Sequence, residues 1–459
     1  MTKKFDAIII GTGQSGPFLA NRLAKAGMQV AIIERHRFGG TCVNVGCVPT
    51  KTLVASAYAA YIACNAKDFG IEISGKPSVD MKAVKARKDA IVKASTEGVE
   101  NWLKKMENCT VYEGQAAFES SNTVRVNGEL LQADQIFINV GARASVPQVP
   151  GLDTIPYLTN STMMEVDFLP EHLLIIGGGY IGLEFGQIYR RFGSKVTILG
   201  RGPNILSRED EDISQEVREI LEGEGVSILT ETEDLTIEKK GKKVEVHMQH
   251  QGKSHTVEGS HLLVATGRIP NTRDLGLEKA GIEVNAKGYI QVDDQLQTTR
   301  PGVWALGDCN GLGAFTHTSY NEFEIVAANL LEGKKRGVSD RVFAYNLYID
   351  PPLGRAGMSE KEVRESGRKA LVARMPMTRV GRAKEKGETR GFMKIFVDAE
   401  SEQILGAALL GVGCDEVIHL IIDIMYAKAP YTVIRDAMHI HPTVSELIPT
   451  LLSELKPLT

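Results

Sequence analysis

Short apolar runs alternate along the chain with glycine-rich turns and with stretches of helical spacing. Residues 5–10 read as a strand that runs into glycine. Leu19, Leu23 and Ala26 then recur at helical spacing, and residues 29–33 form a second buried strand. Residues 50–66 and 81–106 read as two helices joined by a polar, Gly/Pro-containing connector at 68–80. Strand-like pieces run to 136–140, and the proline-punctuated stretch 146–151 reads as a hinge. The strand, turn, helix and strand sequence then repeats, with strands at 173–176 and 195–199 and a helix between them ending near Phe192. Alternation between 230 and 263, with polar turns at 239–243 and 251–253, predicts β-hairpins. From about residue 341 the composition changes; 392–397 and 404–411 read as paired strands, 416–427 as an apolar helix, and a last helix follows Pro442.

The two turns carry chemistry. Gly11-Thr12-Gly13-Gln14-Ser15-Gly16 is a G-x-G-x-x-G sequence with a strand before it, a helix after it and an acidic residue, Glu34, about 20 positions on. Gly11, Gly13 and Gly16 let the backbone approach a pyrophosphate at the helix N-terminus, and Glu34 can accept hydrogen bonds from a ribose. Gly177, Gly179 and Gly182 repeat the arrangement, so one chain carries two Rossmann-like dinucleotide-binding folds. The second fold ends in Gly200-Arg201, with Arg208 further on, where the first ends in Glu34. Loss of the carboxylate and gain of arginine suits a 2′-phosphate, which favours NADPH while leaving NADH possible.

Cys42 and Cys47 sit five positions apart in Gly39-Gly40-Thr41-Cys42-Val43-Asn44-Val45-Gly46-Cys47-Val48-Pro49-Thr50-Lys51. Five residues of regular helix rise about 7.5 Å, whereas a disulfide needs its Cα atoms within about 7 Å. A bridge therefore requires an irregular first turn, which Gly46 and Pro49 fit. A thiol at a helix N-terminus also has its thiolate favoured. The spacing differs from the usual C-x2-C of zinc sites and no second pair completes one, so no metal site is expected; the open readings are a redox pair and two buried cysteines.

Length, charge and cysteine count narrow the setting. The 459 residues allow roughly three domains, and 43% hydrophobic with 24% charged residues is ordinary globular composition. A net charge of −4 gives no case for nucleic acid or an anionic membrane, and six cysteines are too few for a disulfide-stapled secreted protein. Met1-Thr2-Lys3-Lys4 leads straight into a strand without a signal-peptide core, and no apolar run approaches the about 20 residues that span a bilayer. A cytoplasmic location is expected, where a cysteine pair is more often catalytic than structural.

Nearly end to end, the chain resembles the flavoprotein disulfide reductases: dihydrolipoamide dehydrogenase, glutathione reductase and mercuric reductase. The glycine turn with Glu34 resembles the FAD turn, Cys42 and Cys47 the redox disulfide, and Gly177 to Gly182 the nicotinamide nucleotide turn. Ala265-Thr266-Gly267 and Gly307-Asp308 are similar to the family's ATG and GD motifs, and His441-Pro442-Thr443-Val444-Ser445-Glu446 to its H-P-T-x-x-E. The resemblance implies an α/β architecture of two Rossmann-like domains plus a C-terminal α+β dimerisation domain. FAD would be bound by 1–144 with 264–340, NAD(P)H by 145–263, and the partner subunit by 341–459. It further implies that Cys42 is the interchange thiol and Cys47 the thiolate nearest the flavin, with Lys51 and Glu184 as an ion pair beside flavin N5. Asp308 would bond the ribityl chain, with Ser15, Thr41, Gly141 and Gly267 as further cofactor contacts. Tyr180 becomes a lid over the nicotinamide pocket, with plain packing as the alternative. His441, oriented by Glu446, would be the acid/base that completes the partner subunit's site in a homodimer.

Other residues carry less. Cys309, Cys64 and Cys109 read as small packing residues, Cys414 as packing with redox chemistry as the alternative, and His439 as a surface histidine beside the acid/base. His317 is left open, and 384–386 reads as a solvated loop. The substrate implied is small: a disulfide, an oxidised thiol-reactive species such as hypothiocyanous acid, or a thiophilic metal ion. Mercuric reductases carry a cysteine pair at their extreme C-terminus, and none lies beyond Cys414 here, so this chain resembles members that lack it. Dihydrolipoamide dehydrogenase activity, a disulfide-independent flavin reductase of quinones or metals, and a redox-sensing or docking subunit are the alternatives.

Overall fold

A computed structural model describes every residue except Lys76. The chain divides into two compact units, Met1–Thr52 with Lys85–Ser145 and Gly267–Arg341, and Leu53–Val84 with Val146–Thr266 and Val342–Thr459. The second contains both segments expected as nucleotide and dimerisation domains.

The first unit is built on a five-stranded parallel sheet. Its order is Val303–Ala305, Gln135–Ile138, Ala7–Ile10, Val30–Glu34 and Cys109–Glu113. Ala7–Ile10 and Gln135–Ile138 are interior strands with Ile8, Ile9, Phe137 and Ile138 fully buried, which explains their unbroken apolar sequence. The helix Gly16–Lys25 buries Leu19, Ala20 and Leu23. A smaller sheet pairs Thr2–Lys4, Glu129–Gln132, Thr123–Val126 and Ala117–Ser120. Phe5 is thus not strand: the expected strand 5–10 splits around Phe5-Asp6, whose amides bond Gln132 and Gln29. Ala142–Ala144 pairs antiparallel with Arg268–Pro270, where the chain leaves the unit and where it returns.

The second unit holds the other parallel sheet, in the order Ser227–Leu229, Lys195–Leu199, His172–Ile176 and His261–Val264. The expected hairpins form a three-stranded antiparallel meander, Thr232–Lys240, Lys243–His250 and Lys253–Gly259, turning at Gly241 and Gly252. The C-terminal part is a six-stranded sheet with Phe392–Asp398 and Ile404–Leu410 in its middle, both buried throughout. The helix Cys414–Ala427 lays Cys414, Val417, Ile418 and Ile421 into the same core. Residues 384–386 belong partly to a short helix, Gly381–Glu385, rather than to a loop, with Arg382 paired to Glu385 at 2.9 Å. Among the described residues no helix is long and apolar enough to cross a membrane.

Candidate active site

The first glycine turn is shaped by backbone contacts. Gly11 has φ +106°, and a Cβ there would lie 2.3 Å from the Asn139 carbonyl oxygen; one on Gly16 would lie 2.3 Å from Gly11 O. Only glycine fits either position, as a tight dinucleotide turn demands. Ser15 Oγ donates to Ser319 O at 2.7 Å, and Gly16 N donates to Asn139 Oδ1 at 3.2 Å. Glu34 Oε2 accepts from Thr12 N at 3.0 Å and Thr12 Oγ1 at 2.6 Å, while its Oε1 accepts from His36 N at 2.8 Å. Thr12 Oγ1 also accepts from Gly39 N at 3.2 Å, and a Cβ on Gly40 would meet Gly13 Cα at 2.9 Å. The cysteine segment therefore starts directly against the nucleotide turn. A cleft of about 240 Å³ opens between the turn and the helix Met81–Lys104, lined by Thr12, Gly13, Gln14, Gly39 and Trp102.

The cysteines lie on two helices, not one. A short helix, Gly40–Asn44, ends at Val45, and the long helix Cys47–Cys64 begins two residues later. Gly46 makes the break: a Cβ there would lie 2.9 Å from Thr41 O and 3.3 Å from Cys42 Cα, so the chain folds back on itself at that point. Asn44 pins the short helix by donating to Phe38 O and Gly40 O, and it accepts from Thr96 Oγ1. The hydrogen bond to Cys47, reinforced by burial, raises the Cys42 thiol above the ordinary range. Cys47 Sγ lies 3.1 Å from Thr316 Oγ1 and opens the long helix, where the unsatisfied amides favour negative charge. In the single chain Cys47 is exposed and Cys42 half-buried. Lys51 lies one turn further along the same helix.

Asp308 follows Gly307 in a short 3-10 turn. Burial raises its carboxyl, against the pull of Arg268, whose Nε donates to Asp308 Oδ2 at 3.2 Å. Behind it, the fully buried Glu322 accepts from Gly307 N at 2.6 Å and Asn310 Nδ2 at 2.9 Å and pairs with Arg341 at 3.3 Å. Gly141 and Gly267 both take positive φ where the chain leaves and re-enters the unit, and Gly141 O accepts from Asn271 N at 3.0 Å.

The second turn repeats the first. Gly177 has φ +121°, a Cβ on it would lie 2.4 Å from Ala265 O, and one on Gly182 would lie 2.0 Å from Gly177 O. Nothing of the protein lies within 4 Å of a Cβ on Gly179, whose φ is −92°. Its glycine answers to no internal contact, as expected of a position that a pyrophosphate approaches. Tyr180 opens the helix Tyr180–Phe192 and tilts against Tyr345 at 5.3 Å; burial raises its hydroxyl. Glu184, on the same helix, is buried and accepts from Tyr348 N at 3.0 Å. Arg201 and Arg208 are exposed, and neither forms an ion pair among the described residues. In the last segment, His441 Nδ1 lies 3.0 Å from Glu446 Oε2, with the imidazole 78% exposed and the carboxylate largely covered. In the tautomer whose Nδ1 donates to Glu446, Nε2 is the acceptor nitrogen.

Cys309 and Cys414 are fully buried, and burial pushes the Cys309 thiol up to about 12. Cys109 is half-buried, but Cys64 is exposed at the end of its helix, contrary to the packing role expected from its residue type. His439 is exposed and bonds Ala437 O through Nδ1, and His317 stacks on Phe315 at 5.4 Å. Thr12, Asn139, Arg268 and Glu322 shape the site without standing out in the sequence. Only the position of Thr12 inside the glycine motif could have flagged any of them. Among the described residues no three His, Cys, Asp or Glu side chains are placed to hold a metal ion.

A thiol pair built onto one dinucleotide turn, in a chain that carries a second such turn, is equipment for moving electrons between a nicotinamide nucleotide and sulfur. The chain belongs to the pyridine nucleotide-disulphide oxidoreductase family, which it matches over residues 5–327, with the family's dimerisation domain over 343–452. It is accordingly a FAD-dependent, pyridine nucleotide-linked oxidoreductase with a redox-active disulfide, and its dimerisation domain indicates a homodimer. The probable pyridine nucleotide-disulfide oxidoreductase RclA of Escherichia coli strain K12 is 39% identical, covering 99% of this chain and 100% of that protein. A dihydrolipoyl dehydrogenase of Thermus scotoductus is 34% identical over 97% of this chain and 96% of that one. A mercuric reductase of Bacillus cereus is 33% identical over 90% and 66%. A solved structure of the E. coli protein, described as a Cu(II) complex of HOCl-induced flavoprotein disulfide reductase RclA, superimposes with a TM-score of 0.90 at 38% identity. That match covers 98% of this chain and 100% of that one.

Proposed function

We propose that the protein uses NADPH to reduce a small, thiol-reactive oxidised species through Cys42 and Cys47, either a low-molecular-weight disulfide or an electrophile such as hypothiocyanous acid. The observation that carries this reading is the thiol pair itself. The two cysteines share a hydrogen bond across a glycine-made break, and the second stands at a helix N-terminus. The full-length likeness to an HOCl-induced disulfide reductase points to oxidised sulfur as the substrate class.

The glycine cradle at Gly11, Gly13 and Gly16, with Glu34 and Asp308, fits FAD, and Gly177, Gly179 and Gly182 fit the nicotinamide nucleotide. FAD held there would supply the two-electron redox chemistry that links the nicotinamide nucleotide to the Cys42–Cys47 disulfide. Lys51 and Glu184 are proposed to pair beside that cofactor, and Tyr180 to cover the nicotinamide pocket. Arg201 and Arg208, exposed and without carboxylate partners, are proposed to receive the 2′-phosphate of NADPH. Cys42, once deprotonated, attacks the substrate sulfur and expels its leaving group. Cys47 then attacks Cys42, closing the disulfide and releasing the second half of the substrate, a thiol from a disulfide or thiocyanate from hypothiocyanous acid. The proton of Cys42 is proposed to pass to His441 of the partner subunit, held at Nδ1 by that subunit's Glu446.

A second reading, reduction of a thiophilic metal ion, is favoured by the relatives described as mercuric reductase and as a Cu(II) complex. Both readings are tested by NADPH oxidation rates against glutathione disulfide, hypothiocyanous acid, mercuric and cupric salts. The expected result is that an oxidised sulfur species is turned over at least about 10²-fold faster by the native protein than by Cys42→Ser. Equal rates for the two proteins on every acceptor would overturn the thiol route and leave a flavin-level reductase.

A further inference from the structure

The loop that carries Arg201 and Arg208 is tied down at both ends. At the glycine turn, Leu206 N donates to Gly178 O at 2.9 Å, and Ile205 Cγ2 would meet a Cβ on Gly178 at 3.0 Å. Leu206 itself takes φ +49°, a left-handed conformation that leucine rarely adopts unless its surroundings impose it. At the other end the loop runs into Glu209, Asp210 and Asp212, which meet cations from the C-terminal sheet of the same unit. Arg355 Nε lies 3.4 Å from Glu209 Oε2, and Arg355 Nη1 donates to Ala407 O at 3.0 Å. Lys394 Nζ lies 3.2 Å from Asp210, 2.7 Å from Asp212 and 3.1 Å from Glu360, whose amide in turn donates to Asp210 Oδ1 at 2.9 Å. The side chains of Glu209, Arg355 and Lys394 are 0%, 3% and 2% exposed, and neither Glu209 oxygen has a hydrogen-bond partner among the described residues.

Burying this many charges is an expensive way to hold two surfaces together, and an apolar contact would serve adhesion as well. What a charge cluster adds is a single permitted position for the loop. It also keeps Glu209 engaged with Arg355, away from its neighbour Arg208, which a free carboxylate would neutralise. We propose that Arg355 and Lys394 are positioning residues for nucleotide selection: by fixing Glu209, Asp210 and Asp212, they hold Arg201 and Arg208 where both guanidinium groups meet the 2′-phosphate of NADPH. Preorganisation of this kind acts on the nucleotide that carries the phosphate and leaves NADH, which lacks it, largely unaffected.

The inference rests on the NADPH reading above, so the native holoenzyme is compared with NADPH and NADH first; absence of an NADPH preference overturns that reading and this one together. Given the preference, Arg355→Met combined with Glu209→Leu removes the buried pair without stranding a charge. Asp212→Asn, at a side chain 36% exposed, weakens the Lys394 end without touching the core. In the double variant the NADPH:NADH ratio of kcat/KM should fall about tenfold through KM for NADPH, and affinity for 2′,5′-ADP should weaken likewise while 5′-AMP binds as before. Asp212→Asn should show the same change to a smaller degree, and Arg355→Lys, which keeps the cation, should retain most of the ratio. A general loss of activity with both nucleotides, or a ratio unchanged in Asp212→Asn and in whichever other variant folds, would overturn the positioning role.

Discussion

The Cys42 thiol is governed first by its neighbour Cys47. That thiol is raised first by the hydrogen bond to Cys47 and then by burial, while Thr316 pulls it the other way. In the proposed reaction a base would take the proton of Cys42. His441 has the form of one: its Nδ1 is engaged by Glu446 and the ring is open to solvent. Cys47→Ala tests the cause. Losing the partner should lower the Cys42 pKa towards the ordinary thiol value but not to it, because the burial remains. The iodoacetamide alkylation rate of Cys42 against pH reads this directly, with a midpoint displaced to lower pH than in the reduced native protein. An unmoved midpoint would mean that burial alone governs the thiol.

At the scale of elements, the glycines of the second nucleotide turn have separable jobs. A Cβ on Gly182 would lie 2.0 Å from a backbone carbonyl, so Gly182→Ala should force the helix away from its strand, at a cost of about 1–3 kcal/mol, and weaken binding of the pyridine nucleotide. Gly179 has an ordinary φ and an empty surround, so Gly179→Ala should leave the melting temperature unchanged and raise KM for the pyridine nucleotide by about tenfold or more. Thermal melts and steady-state rates on the two variants distinguish structure from ligand approach. These turns were readable in the sequence because the motif couples local geometry to function at fixed spacing. The same holds for the parallel strands, which their apolar stretches mark, whereas the His441–Glu446 pair was legible only through the resemblance to the family's H-P-T-x-x-E motif. What the sequence hid depends on long-range closure. Asn139 joins Gly16 to Leu306, Glu322 sits behind Gly307, and Lys394 reaches Asp212 across 182 positions. No local pattern announces a polar side chain whose partners are brought to it only by the finished fold. Cys64 shows the opposite failure, since residue type suggested burial and its place at a helix end decides otherwise.

For the whole molecule, the decisive matter is which subunit's histidine serves which thiol pair. His441 follows a segment in which Met438 and Ile440 are 98% and 80% exposed, a costly display of apolar surface on a chain that stands alone. In a homodimer that surface is available for burial against the partner. Mixing two inactive proteins settles the arrangement without a structure of the complex. Cys47→Ser and His441→Gln homodimers are each denatured, combined and refolded with FAD, so that subunits reassort at random. If His441 serves the partner, each hybrid dimer has one site carrying both defects and one site carrying neither. Disulfide-reducing activity should then return to about a quarter of native, since half the dimers are hybrids and half of their sites are intact. If His441 served its own chain, every site in the hybrid would keep one defect and no activity would return. The outcome separates a site shared between two chains from one that each chain completes alone.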